Sequence, residues 1–217
     1  LLRSDSIYIA SNITFDNLSP LSTYLGKPGS MEHGGLPFDE YQKRQNQHIK
    51  AEKSALIDTL SFIDKGKHIY GYDNFICDSG GSICEVVEPS DINDEILKKL
   101  SKELLFIWIK GSNKHRQNLI DRFDKNPKPM CYQPEFLIKS WTQYKQEKLL
   151  TDDKINPDSF IRWIYSKALD YRQPRYEKIA QKWGLTIEAA ELEKTRTEKQ
   201  VITLIAKKLE ASREVEK

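Results

Sequence analysis

Leu104-Leu105-Phe106-Ile107-Trp108-Ile109, followed by Lys110-Gly111-Ser112, is the stretch that decides the fold class. The run is almost continuously apolar and lacks the in–out alternation of a half-solvated strand. It therefore predicts a strand covered on both faces, as in a parallel sheet. Working outward, Asp91-Ile92-Asn93-Asp94 supplies caps for a helix through Leu100, and Lys114 to Phe123 forms the next helix. Upstream, Tyr72-Asp73-Asn74-Phe75-Ile76-Cys77-Asp78 rises into apolar character and stops at Ser79-Gly80-Gly81, predicting a second strand and a tight turn.

Residues 38–65 are polar, without Gly or Pro, and carry Leu56, Leu60 and Ile63, predicting one helix or two. Residues 16–37 hold Pro20, Gly26, Pro28, Gly29, Gly34, Gly35 and Pro37 and read as a long loop, a lid or a docking segment. Ser6-Ile7-Tyr8-Ile9-Ala10 is a short strand pattern. On the C-terminal side, Pro134 opens a helix over 135–147 and Asn156-Pro157 opens another. Pro174 is expected to start a third, ended by Gly184 as its C′ residue. Leu185-Thr186-Ile187 is a last short strand. Residues 188–212 form a charged helix with a Val201, Leu204, Ile205, Leu209 stripe suited to core or partner contact. Strands alternating with helices predict an α/β fold, a mostly parallel sheet with flanking helices and a helical C-terminal third. Residues 1–130 would form the core and 131–217 a mainly helical part packed on it.

Composition bounds the function. The chain has 217 residues, 34 basic and 32 acidic, for a net charge of +2. Such balance gives no general attraction to polyanions, so nucleic-acid binding would need a local patch. No apolar run reaches the roughly 18–20 residues that span a bilayer, which argues against a membrane partner. Three cysteines, an odd number at uneven spacing, do not make a disulfide framework and point to the cytoplasm.

Asp78 closes an expected strand and is followed by Gly80, Gly81 and Ser82. Open α/β sheets bind ligands at that end of their strands, and paired glycines let backbone N–H groups approach a phosphate. In phosphoryl-transfer folds such an aspartate holds Mg²⁺. Arg116 and Arg122 follow the 104–109 strand, where arginines can fold over phosphates as lid-type charge stabilisers. Six residues apart, they do not share one strict helical face. The plain alternatives are a turn-capping carboxylate and a solvated basic helix.

The stretches Leu18–Gly29, Gly34-Gly35-Leu36-Pro37, Asp78–Glu85 and Pro127-Lys128-Pro129-Met130 resemble a little-characterised group of bacterial proteins described only as ATPases. The resemblance covers most of the chain. It implies a P-loop NTPase fold, ATP and Mg²⁺ as cofactors, and Asp78 as the acidic residue of the second nucleotide motif. One departure is plain: neither Gly26-Lys27-Pro28 nor Gly29–Gly34-Gly35 fits G-x-x-x-x-G-K-[ST]. Pro28 also removes an N–H donor. The expectation is a phosphate loop and first strand upstream of Leu1.

ATP hydrolysis or phosphoryl transfer is thus the expected activity, with Asp78 on the metal and Gly80, Gly81 and Ser82 beside the phosphates. The rival is a non-catalytic α/β interaction or scaffold protein, using loop 18–37 or helix 188–212. A third alternative is a nucleic-acid-associated factor. Trp141, Tyr144, Trp163, Tyr165, Tyr171, Tyr176 and Trp183 interleave with Lys139, Lys145, Arg162, Lys167, Arg172 and Arg175 in a pattern that suits base stacking but is more typical of a helical layer. Cys84 reads as a small buried hydrophobe rather than a nucleophile served by Glu85. His33, His48, His68 and His115 show no zinc-ligand spacing.

Overall fold

The computed structural model describes residues 24–72 and 74–215; the Ser6–Ala10 strand expectation lies outside them. Local signals explain most elements. Helix α1, Phe38–Tyr70, runs unbroken for 33 residues and ends at Gly71, whose positive φ of 66° suits a left-handed C-cap. A one-turn helix α2 spans Ile83–Val86 and α3 spans Glu95–Leu100. Asp94 caps α3 by accepting from the N–H groups of Ile96 and Leu97. Strand β1 is Phe106–Lys110, and α4, Asn113–Lys125, starts on a reciprocal cap between Ser112 and His115. Pro134 and Pro157 occupy the first turns of α5, Pro134–Lys148, and α6, Pro157–Trp183. Strand β2 is Gly184–Glu188, followed by α7, Ala189–Leu192, and α8, Glu198–Val215.

β1 and β2 pair in parallel with Phe106 opposite Gly184 and Lys110 opposite Glu188, making a two-stranded sheet. The fold is broadly α/β but mostly helical. Several expectations are corrected here. Residues 74–80 form no strand; they run irregular and exposed, with Ile76 95% accessible. The 104–109 run does make a strand, but Ile107 and Ile109 are half-exposed, because β1 stands at the edge of a sheet too narrow to cover them. Pro174 starts no helix. It sits inside α6, removing one helical N–H, and the helix persists because Ala168, Leu169 and Arg172 before it and Ile179 and Ala180 after it are buried. Gly184 does not terminate α6 as a left-handed cap but begins β2 in extended backbone. The expected 188–212 helix is split into α7 and α8.

Two apolar clusters fill the interior. Tyr41, Tyr132, Leu137, Trp141, Phe160, Ile161 and Ile164 join α1, α5 and the first half of α6. Ile83, Cys84, Val86, Val87, Leu97, Leu100 and Ile179 join α2, α3 and the second half of α6. Fully burying each large apolar side chain contributes roughly 1.5–3 kcal/mol. Trp141 and Tyr144 are therefore core, Trp141 stacking on Phe38 and meeting Phe160 edge-on. This placement removes them from any base-stacking surface. The 24–37 segment is tied down as well. The Ser30 N–H donates to Ile155 O at 2.8 Å, and Lys27 pairs with Asp158 at 2.6 Å. Pro28 and Ser30 are buried, so this part of the loop is a packed plug and not a swinging lid. No described helix is long and apolar enough to cross a membrane.

Candidate functional site

The turn from Asp78 to Ser82 is built by hydrogen bonds that its own sequence starts and α6 completes. Asp78 Oδ1 accepts from the Gly80 N–H at 2.9 Å, a local turn that uses Gly80 at φ 65°. Tyr176 donates its hydroxyl to Gly81 O at 2.6 Å. Arg175 donates to the carbonyls of Cys84, 2.8 Å, and Val87, 2.7 Å. Arg172, Arg175 and Tyr176 stand at helical spacing on one face of α6; Arg175 and Tyr176 hold the 81–88 segment by its backbone, and Arg172 holds it through the Glu85 side chain. A side chain on Gly81 would meet the Tyr176 hydroxyl at 3.1 Å and Arg172 Nη1 at 3.9 Å.

Beneath the turn lies a buried ion pair. Arg172 Nε donates to Glu85 Oε1 at 2.5 Å, with side-chain exposures of 5% and 0%. Further bonds anchor both partners: Arg172 Nη2 donates to Cys131 O at 3.1 Å, and the Gln133 N–H donates to Glu85 Oε2 at 2.6 Å. Burial works against the guanidinium's charge, but Glu85, Tyr176 and Cys84 together outweigh it and raise the Arg172 pKa. This pair stitches together the two apolar clusters. Burial, reinforced by the Glu85 charge, pushes the Cys84 thiol up to about 12, and burial raises Cys131 further. Cys77 is exposed. Native protein should therefore react with a thiol-specific disulfide reagent at Cys77 alone, and with all three cysteines once unfolded. Modification of Cys84 in folded protein would show that this interior opens readily.

On the α1 side, Ser82 donates its hydroxyl to Glu52 Oε1 at 3.0 Å. His48 Nε2 lies 3.4 Å from the same oxygen, one helical turn away. Neither Glu52 nor His48 was singled out by any motif, and no local pattern marks them, since Ser82 is 30 residues from Glu52.

The other expected site residues lie elsewhere. Arg116 grips Asp170 with two bonds of 2.7 Å and donates to Ser166 O at 3.2 Å. Ser166 and Asp170 share one face of α6, whereas Tyr176, which holds the turn, and its neighbour Arg172 lie on a face rotated from it by roughly 120°. Arg116 is thus committed to Asp170 on a face of α6 different from the one whose Tyr176 holds the Asp78–Ser82 turn. Arg122 is exposed in the last turn of α4, where its charge opposes the burial-driven rise of the Tyr165 hydroxyl pKa. Asp78, Gly80, Gly81 and Ser82 do share one turn. No three His, Cys, Asp or Glu side chains converge on a metal-sized site among the described residues. One free carboxylate oxygen suits Mg²⁺ that arrives with phosphates and water, not a resident ion. A groove of 580 Å³ lies apart from the turn, between α1 and α3, lined by Leu60, Ile63, Lys67, Lys102 and Glu103. No family model, curated protein or solved structure matches this chain.

Proposed function

We propose that the chain is a Mg-ATP-binding protein of the ATPase or phosphoryl-transfer class, with the Asp78–Ser82 turn facing the metal and phosphates. The observation that supports it best is the fixation of an exposed turn. Asp78 keeps one carboxylate oxygen towards solvent, while Tyr176, Glu52 and the buried Glu85–Arg172 pair set the backbone beside it. A preset backbone and carboxylate suit phosphate and metal recognition, because little ordering remains to be done on binding. In this reading Gly80, Gly81 and Ser82 line the phosphate side. Arg116, held by Asp170, braces α4 against α6, and Arg122 remains the arginine with an exposed side chain for a lid role.

Titration calorimetry of the whole chain with ATP and Mg²⁺ tests this. The expected result is saturable binding that Asp78→Ala weakens at least tenfold, with the thermal midpoint within about 2 °C, since surface changes usually stay within about 0.5 kcal/mol. Unchanged affinity in Asp78→Ala would remove the residue from the site. A second reading, an interaction or scaffold protein, is favoured by one feature: Leu105, Ile107 and Ile109 leave the β1 edge apolar and open. Absence of any heat with Mg-ATP would select it.

A further inference from the structure

Ser82 occupies the N-cap position of α2, where a serine ordinarily turns its oxygen to the helix's own N–H groups. It makes no such bond. Its hydroxyl is turned instead towards α1, where it donates to Glu52 Oε1 at 3.0 Å. That distance is within the range at which a carboxylate can take a proton from a hydroxyl. His48 Nε2 lies 3.4 Å from the same carboxylate oxygen. Glu52 and His48 are both about one-third exposed or less, and both are reachable from solvent. A hydroxyl paired with a carboxylate is the arrangement by which phosphoryl-transfer sites prepare an accepting oxygen. Here it lies on the same turn as Asp78 and directly after Gly80-Gly81.

We propose that Ser82 is a nucleophile for electrophilic phosphorus and that Glu52 is its proton acceptor. The substrate class is a phosphoanhydride, and its identity as a nucleoside triphosphate rests on the function proposed above. Ser82 Oγ forms a bond to the terminal phosphorus as the bond from that phosphorus to the bridging oxygen breaks. The nucleoside diphosphate leaves with the bonding electron pair, and the hydroxyl proton passes to Glu52. The product is a phosphoserine at position 82. Glu52 is thereby distinguished from the buried Glu85, whose two oxygens are committed to Arg172 and the Gln133 N–H.

Two probes on the folded whole chain separate this inference from the nucleotide reading. An alkyl fluorophosphonate needs only a prepared serine: Ser82 Oγ–P forms, P–F breaks, and fluoride departs. Peptide mapping by mass spectrometry should find the adduct on Ser82, with Glu52→Gln reacting at least tenfold more slowly, since a positioned base contributes about 10²–10⁴-fold. Ser82→Ala should carry no adduct in that peptide. Glu52→Asp, which keeps the base but shortens its reach, should fall between wild type and Glu52→Gln and covers the case in which Glu52→Gln fails to fold. In parallel, Mg-ATP should leave one phosphate on Ser82. Adduct formation without phosphate transfer would uphold the prepared serine and overturn a nucleoside triphosphate as its phosphoryl donor. An unlabelled Ser82 in folded wild type, or equal labelling in Glu52→Gln, would overturn the inference.

Discussion

Arg172→Ala is expected to lower the unfolding free energy by about 3–5 kcal/mol, because it strands a carboxylate in the interior. Glu85 is 3% exposed and would keep only the Gln133 N–H as a partner once Arg172 Nε is gone. Native domains hold only about 5–15 kcal/mol in total, so this one change removes a large share. The effect should be mutual: Glu85→Ala strands the guanidinium, and the two losses should not add. Replacing both, as in Glu85→Leu with Arg172→Met, should recover most of the loss, since an apolar pair of similar volume is often as stable as a buried ion pair. Arg172→Lys should sit between, keeping the charge and losing the fork that reaches both Glu85 and Cys131 O. Denaturant midpoints across the four variants decide it. An unchanged midpoint in Arg172→Ala would show that water reaches this pair and screens it.

That pair also shows what local pattern can and cannot reveal. Asp94, Asn156, Pro134 and Pro157 announce helix starts because a cap acts within three residues, and each caps or opens the helix expected of it. Arg172 and Glu85 are 87 residues apart, and Arg116 and Asp170 are 54 apart. Nothing in the spacing around either arginine reveals its partner. Arg116 reads as a free cation until Asp170 is placed against it.

The 72–78 segment fails for a related reason. Its apolar rise is what a strand needs, but a strand also needs a neighbour to pair with. Among the described residues it has none, so its local turn at Asp78–Gly80 prevails and Ile76 is left in solvent. The candidate turn was therefore legible as a turn, through Asp78, Gly80 and Gly81. Its supports were not, because Tyr176 and Glu52 come from α6 and α1.

Gly184→Ala is expected to cost about 3 kcal/mol and to part the two strands. Gly184 faces Phe106 in the first pair of the ladder, and its backbone is ordinary extended chain, so conformational strain is not the issue. The obstacle is proximity. An added Cβ would fall within the contact radius of the Phe106 carbonyl oxygen, 2.6 Å from its carbonyl carbon and 2.7 Å from its Cβ. Backbone cannot step aside as a flexible side chain does, so β1 must move or the pair must open, and overpacking of this kind typically costs about 1–3 kcal/mol or more. Gly71→Ala is the control. It meets nothing within 4 Å and suffers only its positive φ, a penalty of about 1–2 kcal/mol. Amide exchange at residues 106–110 should accelerate sharply in Gly184→Ala and stay slow in Gly71→Ala. If Gly184→Ala proved the milder of the two, the close approach of Phe106 would not be what demands a glycine there. The same contact explains why the residue after α6 is Gly although no left-handed cap forms: the helix hands its chain directly to a strand with no room for a side chain at the first pair.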